Sequence, residues 1–361
     1  MRIRQIMEAM EELFPKRLCE DWDNCGLLIG NPEDEISRAG VCLDITPAVL
    51  KTAIEEEIEL LICHHPVIFK PMHRVDSESA VGQLLRAGIS VIAAHTNMDI
   101  ASGGVNDCLC ERLGLVNVEP LGVARREMGK KIVVFVPEEG AESVRQALSK
   151  AGAGALGNYR DCAFLSEGTG FFRPMEGSDP YLGRQDQLER VREVRIEAIC
   201  PPERVGEAIR AICEVHPYEM PAYDIFDDGG ICREYGMGRI GELDQEYSAP
   251  ALAGMIRELL GGETIRFTDF GKPIRRLAVC GGAGGDLLEE AMSAGADALL
   301  TGDVKHSVII QSLWAGFPIF DGGHFSTEVC VLRPLRRKLR ERFPQLPISV
   351  LGETEQIFQE A

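Results

Sequence analysis

Leu60-Leu61-Ile62-Cys63-His64-His65-Pro66 joins a short apolar run to two adjacent histidines and a proline. The run has no polar alternation and follows a helix-like segment, so it reads as a strand buried on both faces. Pro66 lacks the N–H that a central strand must donate, which ends the strand before it. Two imidazoles therefore stand at the C-terminal end of a strand, the place where open α/β sheets bind ligands. Two surface histidines that happen to be neighbours are the bland alternative, and the remaining chain decides between them.

Upstream, residues 40–44 form another short apolar strand. Thr46-Pro47 then opens a helix, with Thr as N-cap and Pro at the first helical position. Downstream, a helix over 78–87 stops at Gly88, and the strand 90–94 ends at His95-Thr96-Asn97-Met98-Asp99. This β-α-β-α-β alternation predicts a parallel sheet with helices on its faces. Before it, an amphipathic helix at the N-terminus leads to Asp21-Trp22-Asp23-Asn24-Cys25-Gly26. That stretch reads either as a turn around a buried Trp or as a loop facing a pocket.

Residues 130–228 change character. Strands at 131–137, 194–199 and 223–226, helices at 142–151 and 203–214, and a Gly-rich section at 168–183 give the order β-α-β-β-α-β of a ferredoxin-like unit. We read an inserted domain over 129–229, with 1–128 and 230–361 forming one discontinuous α/β domain. From Arg276 the first pattern resumes. Strands at 277–280, 298–300 and 318–320 end at Gly281-Gly282-Ala283-Gly284-Gly285, at Thr301-Gly302-Asp303 and at Asp321-Gly322-Gly323-His324. Ser326 and Thr327 are N-cap candidates for a last long helix, with Glu328 in its first turn. Residues 41–65 lie over 279–303 without a gap, which predicts a duplicated unit. The expected fold is therefore a duplicated three-layer α/β unit with mostly parallel sheets, plus the inserted ferredoxin-like α+β domain.

The totals narrow the function classes. With 361 residues and a net charge of -19, the chain is long enough for two domains and gains little from a nucleic-acid backbone. The basic cluster at 333–342 reads as a solvated helix face. No run approaches a membrane span, and the N-terminus lacks the apolar run and cleavage site of a secretory signal. The 12 cysteines, scattered through apolar segments, read as reduced thiols of a cytoplasmic protein.

Of seven histidines, His64, His65, His95, His306 and His324 follow expected strands or open the next helix. Asp99, Asp303, Asp321 and Glu328 join the same ends. Imidazole nitrogen with carboxylate oxygen is the donor set of Zn, Mn, Fe and Ni hydrolase sites. Adjacent histidines in a turn suit two neighbouring ions, with a carboxylate such as Glu328 bridging them. A hydrogen-bonded polar cluster without metal is the competing reading. The Gly281–Gly285 loop is either a phosphate cradle at a helix N-terminus or a tight turn, since it lacks the Lys-Ser/Thr of a nucleotide loop.

Together WDNCGLLIG, CHHPVIFKP, HTNMDIASGGVND, TGDVKH and GHFSTE resemble the Nif-three-like family of dinuclear-metal proteins, whose members are often named GTP cyclohydrolase 1 type 2 homologues. The stretches GNYRDCAF, GTGFFRP and HPYEMPAYD resemble the PII- or CutA-like insert of longer bacterial members. The resemblance implies His64, His65, Asp99, His324 and Glu328 as ligands of two divalent ions per subunit (Zn, Fe, Mn or Ni), with Glu328 as the bridge. It also implies a homohexameric toroid. Ser307 stands where members often carry a second His, and Met220 replaces the usual acid.

Two functions follow as expectations. The first is a metal-dependent hydrolase of a small polar or nucleotide-like molecule, with His95, Asp303 and His306 as catalytic or ligand-orienting residues. The second is a metal-binding regulatory or sensor protein whose insert binds a ligand or partner.

Overall fold

A computed structural model of the chain describes residues 1–261 and 264–354. The chain folds as two compact units, residues 1–125 with 235–361 and residues 126–234.

The first unit begins with α1 (Ile3–Leu13), whose Ile3, Ile6, Ala9 and Met10 are buried at helical spacing. Then come β1 (Gly26–Ile29), β2 (Ala39–Cys42), α2 (Pro47–Glu55), β3 (Leu60–Cys63), α3 (Ala80–Ala87), β4 (Ser90–Ala93), α4 (Thr96–Ile100) and α5 (Val105–Leu113). Thr46 and Ser79 cap α2 and α3 through their hydroxyls, and left-handed Gly88 closes α3. The chain leaves through β5 (Val116–Pro137). The second unit adds α6 (Ala141–Lys150), β6 (Phe164–Phe172), β7 (Glu189–Cys200) and α7 (Val205–Val215), and the chain returns along β8 (Tyr223–Tyr247). The first unit resumes with α8 (Ala249–Leu260), β9 (Arg266–Phe267), β10 (Ile274–Val279), α9 (Leu288–Ser293), β11 (Ala298–Thr301), α10 (His306–Ala315), β12 (Ile319–Asp321), α11 (His324–Glu328), α12 (Leu332–Arg342) and β13 (Ile348–Val350).

Two sheets of the first unit share one plan. One runs β1-β4-β3-β2-β13, and the other contains β9-β12-β11-β10 followed by β8. In each, a short antiparallel edge strand precedes three parallel strands whose spatial order reverses their chain order. The halves differ at the far side, where β13 lies parallel to β2 but β8 antiparallel to β10. The parallel strands β2, β3, β4 and β11 are buried at every residue, as strands covered on both faces must be. The fold class is thus the mixed α/β arrangement with mostly parallel sheets that the alternation predicts.

The second unit orders its strands β6-β7-β5-β8, with β7 antiparallel to both β5 and β6. Its core gathers Ile132, Val134, Val144, Leu148, Ile196, Ala208 and Ile212 from strands and both helices.

Three local expectations need correction. The strands read at 131–137 and 223–226 are parts of the 22-residue β5 and the 25-residue β8. The added part of β5 is largely exposed, and that of β8 intersperses glycines and charged residues among buried Tyr235, Ile240 and Leu243, so neither carries an apolar run. Ser326 and Thr327 do not cap a long helix; both are buried inside the short α11, which starts after Gly323 at φ +80°. The Thr327 hydroxyl instead accepts the Gly282 N–H. Trp22 is 59% exposed rather than buried.

The basic face of α12 is largely spent on the fold. Arg333 pairs with Glu353, Arg342 with Glu12, and Arg336 and Lys338 donate to the carbonyls of Ile348 and Gly103. Among the described residues no helix is long and apolar enough to cross a membrane.

Candidate metal centre

Strand ends position every side chain of the centre. After β3, the N–H groups of His64 and His65 both donate to the Leu43 carbonyl beyond β2. The backbone is therefore pinned while the two rings diverge. His95 follows β4 and precedes the one-turn α4, which carries Asp99. In the other half, β12 leads through Gly322-Gly323 into α11. There His324 and Glu328 stand four residues apart and so share a helix face.

Each of the four rings is fixed through Nδ1. His64 Nδ1 donates to the Ala94 carbonyl at 2.9 Å, and His65 Nδ1 to Asp44 at 2.8 Å. His95 Nδ1 meets Asp23 at 2.9 Å and His324 Nδ1 meets Asp303 at 2.7 Å. A carbonyl or carboxylate can only accept, so Nδ1 holds the proton and the neutral ring presents its Nε2 lone pair inward. This is the outer support that metal-binding imidazoles carry.

The inward atoms converge. His65 Nε2 lies 3.2 Å from Glu328 Oε2 and 3.3 Å from His324 Nε2. His324 Nε2 lies 3.3 Å from Glu328 Oε1. On the other side His64 Nε2 is 3.5 Å from Asp99 Oδ1 and 3.6 Å from Glu328 Oε1. Two metal-capable groups result, His65–His324–Glu328 and His64–Asp99–Glu328, with Glu328 common to both. His64 is 1% exposed and Glu328 3%. Yet His64 Nε2, Asp99 Oδ1 and Glu328 Oε2 are buried without a hydrogen-bond partner. Buried polar atoms left unpaired cost about 1–3 kcal/mol each, so three together at one point fit a cation better than a structural network.

Electrostatics agree. Burial raises Asp99, whereas Glu328 lies well below the usual carboxylate range because His64, His324 and His65 outweigh its burial. Burial also opposes charging His65, but Asp44 and Glu328 prevail and raise it to about 10. The hydrogen bond to Glu328 leads in raising His324 to about 9. Left to itself, the cluster gathers protons to supply the positive charge its carboxylates demand.

The Gly-rich loop after β10 bends tightly against Glu328. A Cβ on Gly282, which sits at φ +63°, would fall within the Glu328 carboxylate, and one on Gly281 would lie 3.3 Å from the Glu328 side chain. These glycines make room for Glu328. Thr301 ties the loop down, donating to the Gly282 carbonyl and accepting the Gly284 N–H. Gly302 is needed because a Cβ there would meet the backbone at His324.

Of the residues singled out by sequence, His64, His65, Asp99, His324 and Glu328 come together. His95 closes a third group with His64 and His65, and its ring centroid lies 5.3 Å from that of His64. Asp303 stands behind His324. Asp321 pairs with Arg266 instead. His306 opens α10 on the surface and belongs to none of these groups. Sequence reasoning missed Asp44 and Asp23. Asp44 is the residue two past β2, a strand end like the others. Asp23 accepts from His95 and from the N–H and hydroxyl of Thr96, which hold it well below the carboxylate range despite burial. Its neighbour Trp22 approaches His95 edge-on at 6.2 Å, so the loop 21–26 faces the centre.

Residues 1–356 match the family described as Duf34/NIF3 (NGG1p interacting factor 3). A Bacillus subtilis relative named GTP cyclohydrolase 1 type 2 homolog is 38% identical over 331 residues, spanning 90% of this chain and 89% of its own. A relative of the same name from Halalkalibacterium halodurans is 37% identical over 341 residues, 93% and 91% of the two chains. Among solved structures, a Bacillus cereus protein related to NIF3 superposes with a TM-score of 0.91 at 36% identity, covering 100% of this chain and 99% of its own.

Proposed function

The chain belongs to the Duf34/NIF3 family, and on that premise we propose that it is a dinuclear metal-dependent hydrolase acting on a small polar or nucleotide-like molecule. One observation carries the reading: the Glu328 carboxylate is common to two groups of metal-capable donor atoms, where His64 Nε2, Asp99 Oδ1 and Glu328 Oε2 are buried without a partner. His65 and His324 would hold one divalent ion, His64 and Asp99 the other, and Glu328 both. Zn, Fe, Mn and Ni all suit this donor set. When bound, such ions supply Lewis acidity at a coordinated carbonyl, phosphoryl or water oxygen.

The chain's own groups do the rest. Asp44 and Asp303 keep Nδ1 of His65 and His324 protonated, so both rings keep their lone pairs on the inner side. Asp23 does the same for His95, whose Nε2 is then available to accept a proton from a nucleophile or return one to a leaving group. His95 gathers with His64 and His65 but not with Asp99 or Glu328, which suits proton transfer better than ligation. The relatives' name makes ring opening of GTP one member of the substrate panel. A homohexamer in the cytoplasm belongs to the same proposal. The free thiols of the described cysteines support that compartment.

The test is metal analysis of protein purified without added metal, followed by hydrolysis assays with phosphoesters, nucleotides including GTP, and cyclic amides. Metal-dependent turnover lost in Glu328→Ala, with assembly unchanged on a sizing column, supports the reading. A metal-loaded protein inert on the whole panel counts against it.

A further inference from the structure

Two sequence stretches, 168–174 and 216–222, belong to the second unit and take no part in the metal centre. They meet at a cavity of about 500 Å³, a volume that suits a small molecule. His216 braces two lining residues from behind. Its Nδ1 accepts the Tyr218 N–H at 3.0 Å and its Nε2 donates to the Phe135 carbonyl at 2.9 Å. Both ring nitrogens are used, and the turn carrying Tyr218 is fixed. Glu193, on β7, is set over Gly170 of β6, where a Cβ would overlap its carboxylate. Tyr218 Oη donates to Glu193 Oε1 at 2.9 Å.

Around that carboxylate the Phe172 ring lies 5.5 Å from Tyr218 at 62°, and Tyr181 lies 6.4 Å from it at 57°. Phe172, Tyr181 and Tyr218 all line the cavity, and aromatic π-surfaces attract cations. Glu219 also lines the cavity. The one cationic lining residue, Arg173, donates to the Asp186 carbonyl. Two carboxylates and three aromatic rings against one engaged guanidinium leave the cavity electronegative, while Met175, Pro180 and Met220 supply apolar rim.

We propose that this cavity is a binding site for an organic cation with an apolar body, of the arylalkylamine or alkylamine class. The ammonium faces Glu193 and the ring surfaces, and the apolar body lies along the rim. The site is independent of the hydrolase reading, and each stands or falls without the other.

Titration calorimetry on the full-length protein tests this with three probes of one shape: phenethylamine, phenethyl alcohol and phenylacetate. The amine is expected to bind at least about tenfold tighter than the alcohol, as one charge-assisted contact provides, and phenylacetate not at all. Glu193→Gln keeps an acceptor for Tyr218 and is expected to abolish the preference for the amine without moving the melting temperature. Tyr181→Ala, at an exposed ring, weakens amine binding too, while Glu328→Ala leaves it unchanged. Absence of heat with the amine overturns the proposal, as does equal or tighter binding of phenylacetate. So does amine binding that survives Glu193→Gln or disappears in Glu328→Ala.

Discussion

His65 and His324 are 259 residues apart in the chain, and their Nε2 atoms lie 3.3 Å from each other. Both Nδ1 atoms are spent on carboxylates, so two inward nitrogens face one another across a gap that a proton or a metal ion must fill. With metal there, His65→Ala or His324→Ala should each remove about one of two ions per chain, and Asp99→Ala the other. Glu328→Ala should remove both. Elemental analysis after gel filtration reads the stoichiometry.

Asp44 touches only the outer nitrogen of His65, so its effect should reach the centre through that ring. Asp44→Asn keeps the size but presents a neutral acceptor or, flipped, a second donor. Metal affinity should fall about 10–100-fold, measured by competition with a chromophoric chelator. Asp44→Glu should recover part of it if the carboxylate still reaches Nδ1.

Gly282 combines a left-handed backbone with an absent Cβ beneath Glu328. Gly282→Ala should cost about 1–3 kcal/mol of stability from the backbone alone, and should also displace Glu328 and lower metal content. Gly157, also at positive φ but with open space around it, is the control. Gly157→Ala should cost stability without touching metal. Thermal melts paired with metal analysis separate the two effects.

Protonation and metal binding compete for the same nitrogens. In the metal-free protein His65 and His324 hold protons up to about pH 10 and 9, above the ordinary value near 6.5. A group raised in the folded state adds stability that is complete below its unfolded pKa and lost as pH rises through the folded one. Metal-free protein should therefore lose stability between about pH 6.5 and 10, and metal uptake at pH 7 should release protons. Chemical melts across that range, and calorimetry in buffers of different ionisation enthalpy, check both signs.

Much of the first unit is legible in its sequence, because strands buried on both faces leave apolar runs and the chemistry stands where those runs stop. Leu60–Cys63 before His64 and His65, and Ile319–Asp321 before Gly322-Gly323-His324, both show this. The partners of those histidines are harder to read. Asp44 is a single acid between Leu43 and Ile45, and Asp23 lies in a short polar stretch that looks like any turn, so only three-dimensional proximity singles them out. The role of Gly282 is invisible for the same reason. Its neighbour Glu328 is distant in sequence, and a glycine in a loop announces only backbone freedom. The long strands β5 and β8 escape because exposed residues in the one, and glycines and charges between apolar residues in the other, break up any period. Ser326 and Thr327 mislead because a hydroxyl before a helical run resembles a cap, whereas Thr327 is spent on the Gly282 loop.

The most direct test of a shared pair of ions is anomalous X-ray scattering from crystals of metal-loaded protein, collected on either side of the metal's absorption edge. Two peaks about 3.5–4 Å apart, one beside His65 and His324, the other beside His64 and Asp99, with Glu328 touching both, is the predicted result. A single peak, or two peaks that Glu328 does not touch, would contradict it.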